Sequence, residues 1–174
     1  MQIIGHAIVS VDGNIAAADG SMPAELRNDA DWQRFQAQLD QSDIVVLGRK
    51  GHKRFPNPGR RRLVATAGVA TLAGDPDDPY ANLWNPAGLS FADALRSVGI
   101  DNGTAAVAGV FELFTHLFTA FDLAESQTLL LPDGLPCFSA GHPRRVLAQH
   151  GLVPKTWETL DPKAYVTLTH WQRA

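Results

Sequence analysis

Four consecutive apolar residues, Ile44-Val45-Val46-Leu47, run straight into Gly48-Arg49-Lys50. A short run without polar alternation describes a strand covered on both faces, as strands are inside a parallel α/β sheet. Ile3 to Val11 is a second run of this kind, ended by Asp12-Gly13. Two buried strands near the N-terminus need helices packed on the sheet between and beyond them.

The intervening segments supply those helices. Asn28 reads as an N-cap, with Asp29 and Asp31 in the first turn, where the helix dipole favours negative charge. Trp32, Phe35 and Leu39 recur at helical spacing as an apolar stripe, and the helix is expected to end near Asp40–Ser42. Ala16–Ser21, rich in small residues, is expected as a loop beside the first strand, a lid or a connector. Gly51 to Gly59 reads as a basic loop or short helix, Arg62–Thr66 as a strand, and Gly68 to Pro79 as an exposed excursion. Leu83-Trp84 reads as a short strand. Ser90 caps a helix over Phe91–Val98 that Gly99 stops. Thr104–Ala108 and Gln127–Leu131 read as strands on either side of an apolar helical stretch, Phe111–Phe118. Leu152–Thr159 and Ala164–Trp171 read as a closing hairpin. The expected fold class is α/β: a mixed, mainly parallel sheet flanked by helices, with a C-terminal antiparallel β-hairpin, in a single domain over residues 1–174.

Composition narrows the function classes. A chain of 174 residues, 45% hydrophobic and 19% charged, has the make-up of one well-buried globular core. A net charge of −3 argues against a general nucleic-acid surface. The single cysteine, Cys137, excludes an internal disulfide, fits a reducing compartment and reads as a small buried hydrophobe. The start of the chain lacks the basic region of a secretion signal, and no apolar run approaches the roughly 20 residues that cross a bilayer. The six histidines are scattered without metal-ligand spacing, so no metal site is expected. These features together predict a cytoplasmic soluble domain without nucleic-acid or membrane partners; a monomer or homodimer is expected.

Two strand ends suit phosphate. Ile44–Gly48 runs into Arg49-Lys50, and Thr104–Ala108 runs into Gly109. A glycine there lets a ligand approach the backbone, and in open sheets ligands collect beyond the carboxyl ends of strands. Either junction alone reads more readily as a turn with a solvated charge or as a packing device. The GxGxxG and GxxxxGK[ST] nucleotide motifs are absent. Asp29 and Asp31 are the acid–base candidates, lying on opposite flanks of the stripe, and periodicity does not choose between them. Arg60–Arg62 suits a carboxylate or phosphate, or a solvated strand start. His52, near the GRK turn, is a lone loop histidine.

In order along the chain, these segments resemble the dihydrofolate reductase superfamily, which includes the reductase domains of riboflavin biosynthesis. His6–Ala16, HAIVSVDGNIA, is similar to the first strand and flexible loop, and its SxDG form is nearest the riboflavin-type reductases. Met22-Pro23 followed by Asp29 and Trp32 is similar to the stretch carrying the substrate-binding aspartate. IVVLGRK resembles the cofactor segment, Pro58-Gly59-Arg60 with Leu63–Thr66 the following turn and strand, and Val107–Phe111 the glycine turn under the pyrophosphate.

The resemblance implies NADPH and hydride transfer to a pterin- or pyrimidine-like heterocycle. It implies Asp29 as the catalytic residue, with Ile8, Met22, Asp29 and Arg60 binding substrate. It implies Ile15, Gly48, Arg49, Lys50, Thr66, Ala108, Gly109, Val110 and Phe111 around the cofactor. Departures from the family pattern are Gly51 in place of threonine, Ala108 in place of the first glycine of a pair, and Ala24 in place of an aromatic. A riboflavin-pathway-type reductase and a non-catalytic ligand-binding protein that retains the fold stand as alternatives.

Overall fold

The computed structural model describes the whole chain, Met1–Ala174. Along the sequence run β1 (Gln2–Val9), β2 (Asn14–Ala16), α1 (Asp29–Asp40), β3 (Ile44–Gly48), α2 (Arg49–Arg54), β4 (Arg62–Ala65), β5 (Leu72–Asp75) and β6 (Asp78–Trp84). There follow α3 (Phe91–Ser97), β7 (Thr104–Val107), β8 (Ala120–Ser126), β9 (Leu135–Pro136), α4 (Pro143–Gln149), β10 (Leu152–Asp161) and β11 (Val166–Arg173). Nine strands form one sheet in the order β10-β11-β8-β1-β7-β3-β4-β6-β5, and β2 pairs with β9 in a small second sheet.

The six strands from β8 to β6 in that order are mutually parallel, while β5, β10 and β11 attach antiparallel at the two edges. The fully apolar β3 lies between β7 and β4, with helices on both faces. Val45 and Leu47 pack with Leu39 of α1, Val64 and Ala106 on one face. Ile44 and Val46 join Leu63, Val107 and Phe114 in the larger core on the other. Alternate residues thus serve opposite cores, so both parities must be apolar. That larger core is rich in rings: Phe118 meets Phe121 edge-on at 5.1 Å, and Phe91 meets Phe114 at 4.9 Å. Cys137 is buried there, and desolvation pushes its thiol well above the ordinary range. No helix is long and apolar enough to cross a membrane.

Asn28 caps α1, its side chain accepting from the Asp31 N–H at 3.1 Å, and Ser90 caps α3 in the same way from Asp93. Three expectations are corrected and one helix is added. Gly68–Pro79 is not a bare excursion: Leu72–Asp75 pairs antiparallel with β6 as an edge strand. Phe111–Phe118 forms only a 3-10 turn over Phe111–Phe114, because its phenylalanines are held by the ring cluster and Thr119 is already tied to Ile3. Gln127–Leu131 is a loop, and the strand lies earlier, at β8. There Asp122 is paired with His170 and Glu125 with Arg144, so the charges that obscure the pattern are satisfied. α4 was not anticipated; its N-cap His142 and N1 Pro143 begin it.

Candidate functional site

All three parallel strands at the middle of the sheet release their chains at the same edge. Gly48 pairs with Ala65 and Val46 with Val107, and the Ala108 N–H donates to Val46 O at 2.8 Å. Gly48–Lys50, Ala65–Thr66 and Ala108–Val110 therefore form one continuous rim. Carboxyl ends of parallel strands are where open α/β sheets collect ligands. Gly109 has φ +111°, and a Cβ built on it would meet nothing within 4 Å, so a ligand atom can stand where a side chain would. Val110 follows in the left-handed region at φ +49°. Arg49 and Lys50 are exposed beside this gap, with no ion pair or side-chain hydrogen bond inside the protein.

A second group of residues lies between β1 and α1. His6 Nε2 and Asp31 Oδ1 are 2.9 Å apart, with side chains 5% and 9% exposed. The His6 ring stacks on Phe35 at 4.8 Å. From Phe35 the rings continue outward to Trp32 at 5.9 Å and from Trp32 to Phe55 at 6.2 Å. Trp32 and Phe55 are half exposed, so the series leads from a buried acid–base pair to solvent. The inner stripe of α1 is accordingly Asp31, Phe35 and Leu39, with Trp32 turned outward. Arg54 of α2 donates to Gly20 O at 3.3 Å, linking the loop before Met22 to the helix after the GRK turn.

The loop after β1 is built by short contacts. Ser10 donates to Asp12 at 2.6 Å, and the Leu131 N–H donates to the same carboxylate at 3.0 Å. Burial pushes the Asp12 carboxyl up, but the Ser10 and Leu131 bonds outweigh it and hold it below the ordinary range. Gly13 sits at φ +83° against Pro143 and His142, where a Cβ would come within 2.9 Å of the proline ring.

Below the rim, polar side chains link α2 and β4 to the β5–β6 hairpin. His52 lies 3.4 Å from Asp75, and Arg62, fully buried, donates to Asp78 at 2.6 Å. Arg62 Nε and Nη1 and His52 Nδ1 are buried without partners. Two surface recesses lie away from both sites. One of about 590 Å³ is beside Arg61 and Tyr80, and one of about 690 Å³ lies between α3 and the Phe111–Phe114 turn.

No family model and no curated protein matches the sequence. Solved structures do. A protein assigned to riboflavin biosynthesis in Shewanella sp. PV-4 superposes with a TM-score of 0.68 over 100% of this chain and 99% of its own, at 17% identity. A diaminohydroxyphosphoribosylaminopyrimidine deaminase/5-amino-6-(5-phosphoribosylamino)uracil reductase from Thermotoga maritima gives 0.69 at 15% identity, over 99% of this chain and 56% of its own. This chain has the dihydrofolate reductase-like fold.

Within that fold the expected residues divide. Gly48, Arg49, Lys50, Ala108, Gly109 and Val110 come together on the rim, with Thr66 beside them; its hydroxyl accepts from Gly68 N at 3.1 Å. Ile15 is partly buried on β2, packed against the main core. The Phe111 ring belongs to that core, 5.4 Å from Phe121, so only its backbone is available at the turn. Ile8 is buried under Leu26 and Ala124, which leaves its side chain no open face. Met22 is exposed on the loop. Arg60 is committed to the protein itself: Nε and Nη2 donate to Asp40, and Nη1 to Gln36 and Asn57. Asp29 is exposed at the helix start, and Asp31 is the buried acid. His6 and Phe55 were not anticipated. The available signal for His6 was an imidazole in an otherwise apolar strand.

Proposed function

We propose that this protein is an NADPH-dependent oxidoreductase that reduces a pyrimidine-like heterocycle. The carrying observation is the rim itself, where an open glycine turn at Gly109 and two unpaired cations, Arg49 and Lys50, stand just beyond the ends of neighbouring parallel strands. That arrangement fits a ligand with phosphates held at mid-sheet. The riboflavin-pathway reductase activity carried in the name of the Thermotoga neighbour supports the substrate class.

Bound NADPH supplies the hydride, and the protein's part is binding, orientation and exclusion of water. In this reading Arg49 and Lys50 neutralise phosphate, and the backbone of Ala108–Phe111 wraps the pyrophosphate. Gly48 and Thr66 line the rim, and Ile15 lies at the nicotinamide end. Asp31, rather than Asp29, holds the heterocycle, because it is the carboxylate that α1 turns inward. A buried carboxylate hydrogen-bonded to imidazole can hold a proton at a ring nitrogen of the substrate. Phe35, Trp32 and Phe55 offer flat apolar faces for the ring. Met22 closes the loop side.

Titration with NADPH and with NADH, followed through the four tryptophans, tests the reading. Saturable quenching with preference for NADPH is the expected result. Absence of a saturable signal, repeated by calorimetry, refutes it.

A further inference from the structure

We propose that His6 sets the electrostatic class of the substrate: by holding one oxygen of Asp31, it makes the site accept a neutral lactam-type heterocycle and refuse an amidinium cation. This rests on the reading of the Asp31 region as the substrate site.

A desolvated carboxylate in an aromatic setting is, on its own, a receptor for amidinium and guanidinium groups. Such cations bind through two parallel hydrogen bonds that use both carboxylate oxygens on one edge. At Asp31 one oxygen of that edge is already engaged. Nε2 of His6 is 2.9 Å from Oδ1, and both side chains are more than nine-tenths buried. Neither partner can swing away easily. The imidazole is stacked on Phe35, and the Asp31 backbone is tied to the N-cap Asn28. The other ring nitrogen, Nδ1, is buried with no protein partner, so no competing bond draws the imidazole from Asp31.

One oxygen, Oδ2, remains without a protein partner. A lactam N–H, which donates once and carries no charge, is matched by a single acceptor. An amidinium would have to share Oδ1 with His6, displace it, or leave one of its own donors unpaired in a poorly solvated place, each of which weakens its two-point contact. His6 is thus a specificity-determining residue acting through Asp31.

The test is calorimetric titration of the protein without cofactor, using two flat probes of similar size, 5-aminouracil and 2,4-diaminopyrimidine, at a pH where the diamine is protonated. Wild type is expected to bind 5-aminouracil at least tenfold more tightly. His6→Leu, which frees the second oxygen, is expected to reverse that preference. His6→Gln, whose amide N–H can still donate to Asp31, is expected to keep it. Circular dichroism and melting verify that each variant is folded, and the glutamine variant carries the test if the leucine variant is not. The inference is overturned if wild type prefers the diamine, if folded His6→Leu keeps the wild-type preference, if His6→Gln loses it, or if neither probe binds any of the three proteins. NADPH titration of the same proteins does not depend on His6, so failure of the cofactor reading appears separately.

Discussion

A Cβ on Gly48 would stand 3.0 Å from Cγ1 of Val110, so the ends of β3 and β7 touch backbone to side chain at the rim. Gly48→Ala is expected to push Val110 and the Gly109 turn by a few tenths of an ångström. It should cost about 1 kcal/mol of stability, as a single added methyl in a packed place does. NADPH affinity should fall at least tenfold. Calorimetry beside a thermal melt measures both, and unchanged affinity in a folded variant would detach the turn from cofactor binding.

The two acids of the first helical turn should behave differently. Asp29→Asn removes an exposed charge at a helix start and should cost about 0.3–1 kcal/mol, without changing turnover. Asp31→Asn breaks a buried pair and should cost roughly 1–3 kcal/mol. It should lower turnover at least a hundredfold, with NADPH binding retained. Urea unfolding and steady-state assays of the pair decide this. Loss of turnover in Asp29→Asn alone would return the role to the helix start.

Gly13→Ala combines a left-handed φ with a collision against Pro143. A destabilisation of about 1–3 kcal/mol is expected from backbone strain of this kind. The urea midpoint should fall while the slope stays constant.

Arg62 and Asp78 offer a stability test beneath the rim. Asp78→Asn leaves a fully buried guanidinium without its partly exposed carboxylate and should lower the urea midpoint. Arg62→Met in the Asp78→Asn background should recover much of that loss, since it removes the stranded charge. A double-mutant cycle by chemical denaturation gives the coupling; additive losses would show that the pair is not a unit.

The lowered carboxyl of Asp12 has a pH signature. Its folded-state value is below that of the unfolded chain, so the folded protein binds this proton less tightly. The stabilisation is complete above about pH 4, the unfolded value, and is lost as pH falls through the lowered one. Asp12→Asn should therefore lower the urea midpoint at pH 7, by about 1 kcal/mol for an exposed charged hydrogen bond. Wild type and variant should converge at more acid pH. A difference that persists unchanged at pH 3 would remove Asp12 as its source.

Much of the architecture was written in local pattern. β3 was legible to the residue because burial on both faces leaves a run with no polar position. The caps Asn28 and Ser90 were legible because capping depends on one side chain and its own helix. The rim was legible for the same reason: glycines and cations adjoin their strands. β8 was hidden because Asp122 and Glu125 are satisfied by His170 and Arg144, 48 and 19 residues away. The choice between Asp29 and Asp31 was equally out of reach, since it depends on His6, 25 residues earlier. Arg60 looked like a free anion binder because its partner Asp40 belongs to a different element. Local grammar was readable; side-chain pairing across elements was not.

The strand order has a consequence for how the chain comes into being. β1 is synthesised first, yet both of its neighbours in the sheet, β7 and β8, lie beyond residue 100. At translation speeds of about 5–20 residues per second, the nascent β1 waits on the order of 10 s before either partner leaves the ribosome. Through that interval an apolar segment is held unpaired. The last hairpin, β10 and β11, can close on β8 only once the chain as far as Arg173 has emerged, so the sheet is completed from its latest-made strands rather than in the order of synthesis.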